Sequence, residues 1–548
     1  MKLLYRILTV ALVCFVAVSC DVVDQDLLEN PNSPSPSNVN PDYLLNNIQL
    51  ETENVFGEAS NFGQELSRMG YMFGDIYRNA YSPSNFNTLY NDAYSDLFID
   101  VKNLTPIAEE KNLYFHLGMA KTLKAYAMLT LVDGFGSIPY SEALDASNLN
   151  PKLDDGKAIY DSALVLLDDA IADLKNEDRR GFPENDLYYG DKEGDDKVNA
   201  WVKAAKTMKL KAYLNTGNTS EFNALVSEGD IILTPENNFT FNFSTNDANP
   251  DSRHPGYITN YAGSPQTYMS VNYMNFLLND KSASINMDPR MRYYFYRQTT
   301  SDPTDVTKNT CITAPKPSHF NTDDPWCLLG DGWWGRDHMI DDGIPPDNEL
   351  RTTYGVYPVG GAFDDGSGGS TDATMGLKGA GFRPILMAAY THFLIAEGEL
   401  TLNNDPGAAE TEYLAGAEQS LETVRDFGAS VTGGSGFAMT QSDINNYLSI
   451  IEGRWDNNPS ERLRLNSKEF YLALWTNGIE AYNMMRRTGY PNREDNLQPA
   501  REKQPGNWYR TFWYPSDLTK QNNSVDQKNS TLDRTFWDTD GSADAFNF

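Results

Sequence analysis

Small and apolar residues recur at steps of three and four through several long stretches of this chain, the spacing that gathers them on one face of an α-helix. Ala120, Leu123, Ala127 and Leu131 follow it, as do Ala163, Leu166/Leu167, Ala170/Ile171 and Leu174, with Asp161, Asp168, Asp169 and Asp173 turned elsewhere. Val198, Trp201/Val202, Ala205, Met208 and Ala212 make a third stripe, which Asn215-Thr-Gly217 stops. Further predicted helices carry Leu386, Ala389, Phe393, Ala396 and Leu400, then Tyr413 to Phe427, then a long segment from about Ser460 to Met485. Each is apolar along one stripe only and needs neighbours to cover it. Helices of roughly 15–20 residues in successive pairs predict a mainly α fold, a superhelix of tetratricopeptide-like hairpins. No clean consensus of about 34 residues aligns, so the repeats are degenerate.

Between about 235 and 382 the helical period disappears, and Gly, Pro, Asn, Asp and aromatics dominate, as in Gly330-Asp-Gly-Trp-Trp-Gly335 and Gly366-Ser-Gly-Gly-Ser370. An irregular stretch of this length inside a folded body is usually functional. The predicted architecture is a helical scaffold (about 43–234 and 383–490) presenting a large loop-rich, ligand-facing insert, with a closing segment over about 491–548.

The first twenty residues have a different pattern. Lys2 and Arg6 precede Ile7–Val18, which carries no charge, and Ala17 and Ser19 lead into Cys20. This is the layout of a secretory signal, residues 1–19. As a helix the uncharged run covers about 18 Å, short of a hydrocarbon core of about 30 Å. Cys20 directly after Ala17-Val-Ser19 resembles the lipobox of bacterial lipoproteins, in which the cysteine is lipidated and begins the mature chain; an ordinary signal peptide with an incidental cysteine is the alternative. Residues 20–42, rich in Pro, Ser and Asn, then read as the anchor and a solvated tether, and residues 43–548 as a single body.

Composition narrows the function. Thirty-one Tyr, 26 Phe and 9 Trp mark a folded chain. A net charge of −32 argues against nucleic acid or an anionic lipid surface as ligand and suits solubility on a tether. Cys311 and Cys327 enclose a loop rich in Pro, Asp and Asn; in an oxidising compartment they are either a disulfide or two isolated thiols.

Catalytic apparatus is scarce. The five histidines show no His-x-x-x-His spacing, no Gly-x-Ser-x-Gly elbow occurs, and no metal or cofactor site is expected. Gly330–Gly335 fits Gly-x-Gly-x-x-Gly formally, but follows no βαβ pattern and places two tryptophans where phosphate would sit. Asp538–Asp544 looks like half a calcium loop without its distant Glu. Binding has better support: sugar rings stack on aromatic faces, and their hydroxyls need placed polar partners. Trp326, Trp333 and Trp334 share one loop with Asp331, Arg336 and Asp337. Either these tryptophans plug the core beneath a long loop or they stack on ligand; two adjacent tryptophans between glycines are hard to bury together, so at least one is expected exposed. Trp201, Trp455 and Trp475 lie at helical spacing and are expected in the core.

An ordered set of segments carries a family resemblance. Ala120–Tyr140, ending Phe-Gly-Ser-Ile-Pro-Tyr, Asn199–Leu214, Asp288-Pro-Arg290, Arg383–Glu399 with its Ala-Glu-Gly-Glu end, Glu480–Pro491 and Arg510–Pro515 resemble, in sequence order, segments of the SusD/RagB family of outer-membrane nutrient-binding lipoproteins. The resemblance implies four degenerate tetratricopeptide units supporting a less regular ligand-facing region. It further implies a lipid-anchored, surface-exposed location on the outer membrane and a partner, a TonB-dependent transporter of the SusC type, which the lipoprotein covers like a lid. It implies a non-catalytic protein that captures oligosaccharides, or in some members peptides, and delivers them to that transporter. Ligand contacts in the family come partly from the N-terminal region, where Asp75, Arg78, Tyr81, Asn85 and Asn87 are candidates, unless this stretch is a connector packed on the helices. A surface glycan hydrolase and a structural lid whose main ligand is the transporter are the competing readings.

Overall fold

Asn40 starts the first helix: its side chain accepts the Asp42 backbone N–H, and Pro41 opens the turn with its φ already set. The computed structural model describes residues 39–341, 349–539 and 546; the predicted signal, Cys20 and the tether up to residue 38 lie outside the described residues. Helix α1 (Pro41–Leu66) begins inside the span read as tether and is absent from the periodicity reading. Its inward face includes Gln49, Thr52, Glu53, Ser60 and Gln64, which dilute the apolar stripe.

The three clearest stripes are helices: α3 (Tyr114–Phe135), α4 (Gly156–Leu174) and α5 (Gly194–Thr216), with α2 (Phe98–Glu110) before them and α6 (Thr219–Glu228) after. Helix α3 is the hub, buried almost all round and packed against α1, α2 and α4. Gly118 lets α4 approach it, since a Cβ there would stand 2.5 Å from Leu174. Gly217, at φ 68°, ends α5.

Short ladders frame the irregular region. Strand β1 (Ile138–Pro139) pairs antiparallel with β2 (Leu153–Asp154). Strand β3 (Phe239–Asn242) pairs with β6 (Phe382–Leu386), which ties the two ends of the insert together, and β4 (Phe295–Arg297) pairs with β5 (Thr352–Tyr354) within it. The insert also holds two short helices, α7 (Pro255–Tyr261) and α8 (Val271–Asn279). Cys311 and Cys327 are disulfide-bonded.

Beyond the insert, Leu386 closes β6 rather than opening a helix, and α9 runs Ala388–Gly398. Then come α10 (Pro406–Gly428) and α11 (Gln441–Asn457), the latter not read from the sequence. The single long helix expected near Ser460–Met485 is two, α12 (Arg462–Ala473) and α13 (Gly478–Thr488). The break holds Thr476 at φ 71°, a left-handed conformation unfavourable for a β-branched residue. Helices α1 and α13 then cross with backbones touching: a Cβ on Gly63 would meet the Gly478 carbonyl oxygen at 2.2 Å, and one on Gly478 the Gln64 nitrogen at 2.1 Å.

Several of the resembling segments are structural ties. Arg290 is fully buried; it donates to both carboxylate oxygens of Asp288, at 3.0 and 2.7 Å, and to the Tyr447 hydroxyl at 2.8 Å. Glu397 pairs with Arg487, joining α9 to α13. Asp133 on α3 accepts from Asn483 of α13 at 2.7 Å and from the Trp537 indole at 3.0 Å, anchoring the closing segment.

Candidate functional site

Five separate stretches of chain meet around a cavity with a volume of about 600 Å³. The last turns of α1 contribute Asn61, Gln64 and Glu65, and the chain after it contributes Tyr71, Phe73 and Tyr81. The insert supplies His254, Tyr268 and Tyr354, strand β6 supplies Arg383, and the α12–α13 break supplies Trp475 and Thr476. The tight crossing of α1 over α13 is what brings Glu65 and Thr476 to one wall.

The walls combine aromatic rings with polar groups that have no partner among the described residues. Phe73 is 48% exposed. Two guanidinium groups lie over the Tyr268 ring, Arg336 at 4.1 Å and Arg351 at 4.0 Å from its centre. Three buried polar atoms on cavity-lining residues, His254 Nε2, Trp475 Nε1 and Thr476 Oγ1, have no hydrogen-bond partner among the described residues. Such groups are costly when left unsatisfied in a dry interior and are satisfied by a ligand or water. His254 accepts the Gly256 N–H through Nδ1 at 3.0 Å, and burial with the nearby Arg383 charge holds its pKa well below the usual histidine value. It is a neutral ring whose free nitrogen is a donor.

Glu65 is the only carboxylate among the described lining residues. Burial pushes its pKa up to about 7, and the hydrogen bond it accepts from the Tyr81 hydroxyl opposes that rise. The cavity therefore offers hydroxyl, amide, indole and guanidinium groups beside aromatic rings, and one carboxyl that stays largely protonated below neutrality.

The residues proposed from the sequence fall in different places. Tyr81 lines the cavity; Asp75, Arg78 and Asn85 do not, and Arg78 and Asn85 are exposed elsewhere on the same connector. Asp75 bonds the Asn79 side chain at 2.9 Å, and Asn87 donates to Ser516 in the closing segment at 3.1 Å. The expectation that one of Trp333 and Trp334 is exposed is not met: Trp333 is 3% exposed and Trp334 fully buried. The physical reason is tight turn geometry. Gly330, Asp331 and Gly332 all have positive φ, and Gly332 and Gly335 press against the Thr299 and Met269 carbonyls, folding both indoles inward. Arg297 covers the Trp333 ring at 4.3 Å, and Trp334 donates to the Leu350 carbonyl at 3.0 Å. Arg336 is buried behind Tyr268, to whose hydroxyl it donates at 3.0 Å. Asp331 is exposed, and Trp326, half-buried, donates to the Ala314 carbonyl at 3.3 Å. Trp333, Trp334 and Arg336 thus back a cavity wall, while Trp326 and Asp331 keep some exposure. Among the core expectations, Trp201 and Trp455 are buried as read, while Trp475 is buried yet lines the cavity.

Glu51, Asp92 and Asp96 form a separate acidic cluster on α1 and the turn before α2. Crowding by like charges adds to burial in raising Asp92 to about 7. No described helix is long and apolar enough to cross a membrane.

Residues 31–314 match the family model described as starch-binding, associating with the outer membrane, and residues 379–542 match that of the SusD and RagB outer-membrane lipoproteins. Solved structures share the fold. A SusD/RagB family protein from Bacteroides thetaiotaomicron superposes with a TM-score of 0.62 at 18% identity, covering 93% of this chain and 98% of its own. A chitin-binding SusD homologue from Flavobacterium johnsoniae gives 0.59 at 18% identity, covering 91% and 99%. A SusD homologue from Bacteroides ovatus gives 0.57 at 20% identity, covering 88% and 93%. No curated protein matches the chain.

Proposed function

This chain belongs to the SusD/RagB family of outer-membrane lipoproteins, and from that premise we propose that it captures an oligosaccharide in the cavity beneath α1 and passes it to a TonB-dependent SusC-type transporter. Cys20 would carry the lipid that holds it at the outer membrane, facing the medium.

The observation that carries this reading is the pairing of exposed aromatic surface with orphaned polar atoms in one cavity. Phe73, 48% exposed, offers a face for the flat C–H side of a sugar ring; Tyr268 lines the same cavity, and His254, Trp475 and Thr476 bring to its wall buried polar atoms without a partner among the described residues. A peptide would be expected to find backbone-reading donors or an acidic subsite for basic side chains; here the one carboxyl among the described lining residues is pushed up to about 7 and carries less than a full charge at neutral pH. Hydrolysis of a glycosidic bond ordinarily needs two carboxyl groups across the bond, and this wall has one among its described residues.

A glycan-array screen of the soluble chain lacking its first twenty residues tests this, with chito-oligosaccharides included because one structural neighbour is chitin-binding. Retention of at least one glycan class with no reducing-sugar release is the expected outcome. Silence across the array together with capture of peptides, or release of reducing sugar, would overturn it.

A further inference from the structure

A second cavity, of about 560 Å³, opens between α2, α3 and the turn after β1, away from the residues assigned above. Its lining includes Phe98, Val101, Pro106, Lys124, Tyr140 and Leu144. Two of these, Lys124 and Tyr140, belong to Ala120–Tyr140, one of the segments that resemble the family, and the glycan reading gives that segment no role.

Lys124 is unusual among the lysines. Its Nζ lies 5.9 Å from the centre of the Phe98 ring and 5.6 Å from that of Tyr140. Burial lowers its pKa, and no neighbouring carboxylate raises it again. No hydrogen bond or ion pair joins it to any described residue. By contrast Lys121, one turn away, pairs with Asp173 at 2.6 Å. A half-buried ammonium without an anion is unfavourable, and two aromatic faces offset only part of that.

We infer that this cavity binds a small organic carboxylate, with the carboxylate on Lys124 Nζ and the ring of the ligand against the half-buried Tyr140. The walls are built for it. Asp154 accepts the Tyr140 and Ser141 backbone N–H groups, at 2.7 and 2.9 Å, and Tyr94 donates to the Pro139 carbonyl, so the turn is fixed. The Tyr140 hydroxyl has no partner among the described residues and is free to bond the ligand. A second ammonium, that of the exposed Lys102, donates to the Leu144 carbonyl and keeps its charge at the rim. With one ammonium half-buried and the other at the exposed rim, the site suits a single carboxylate; a phosphate would call for a guanidinium fork or several converging donors. Glu109, exposed at the rim, adds repulsion that a dianion would feel more strongly. The protein's overall negative charge is screened beyond about 8 Å at physiological salt, so it does not exclude a carboxylate from the cavity.

The carboxylate could belong to an acidic sugar or to an aromatic acid, and paired probes separate the two. Saturation-transfer NMR on the soluble full body compares glucuronate with glucose, and benzoate with benzyl alcohol. At least one acid is expected to bind tenfold or more tightly than its neutral counterpart, and the better pair identifies the source. Lys124→Gln and Lys124→Met are expected to erase that preference while glycan binding at the first cavity and the thermal midpoint are kept. Equal binding of acids and neutral probes by the unaltered chain, or a preference that survives Lys124→Gln, overturns the inference. Neither result bears on the oligosaccharide cavity.

Discussion

Thr476 concentrates the logic of the cavity in one residue. It is β-branched, sits at φ 71°, and holds a buried hydroxyl with no partner among the described residues. Strain of this kind costs on the order of 1–3 kcal/mol and persists where function needs it. Thr476→Gly is therefore expected to raise stability by about 1 kcal/mol, read by chemical denaturation, while weakening glycan binding. A destabilised Gly variant with unchanged binding would remove Thr476 from the site. Glu65 gives a pH prediction. Its carboxyl titrates near 7 when folded against an ordinary value of 4.5, so between these values the native state holds a proton that the unfolded chain has released. Stability contributed by this group is therefore highest below about 4.5, declines as pH rises to about 7, and is level above. Glu65→Gln should abolish that decline, a gain of about 1–3 kcal/mol at pH 8, seen as a flattened profile of stability against pH. An unchanged profile would mean that solvent reaches the carboxyl freely. None of this was legible beforehand: Glu65 looks in sequence like any other helical glutamate, and only the approach of Tyr81 and the insert desolvates it.

At the scale of elements, helices with a clean apolar stripe were legible and those that bury polar residues were not. Helices α3, α4 and α5 lie where the spacing of their apolar residues places them. Helix α1 was hidden because polar residues interrupt its inward face, two of them tied to distant partners: Gln49 accepts from Leu187 N at 2.8 Å and Glu53 from Arg383 at 2.7 Å. The α12–α13 break carried a local signal, the Asn477-Gly478 pair, which a continuous stripe overrode. The crossing of α1 and α13 depends on two glycines with no room for a methyl group. Gly63→Ala is expected to destabilise by about 1–3 kcal/mol, measured by denaturant unfolding, and to loosen the cavity wall it positions. In the Asp288–Arg290 tie, Arg290→Ala leaves Asp288 buried without its cation and should cost about 3–5 kcal/mol without any direct contact with ligand. A variant that keeps its stability but loses glycan would instead make Arg290 part of a binding site.

For the whole molecule, fold and family were readable because the resembling segments run the length of the chain and several of them are buried ties that hold helices together. The cavity was not readable because no local stretch of sequence builds it. Its lining residues run from Asn61 to Thr476 in sequence and meet only after α1, the insert and the α12–α13 break have packed. The tryptophan-rich loop, the most conspicuous aromatic cluster, serves as backing: Trp334 and Arg336 stiffen Tyr268, which does face the cavity. The central claim is that this cavity, and not that loop, holds the glycan. Titration calorimetry of an array-identified oligosaccharide against the unaltered chain and Phe73→Ala tests it most directly, because Phe73 is exposed and outside the core. The account predicts a three- to tenfold loss of affinity, about 0.7–1.4 kcal/mol, with the thermal midpoint unchanged. Unaltered affinity in Phe73→Ala would place the glycan elsewhere and contradict it.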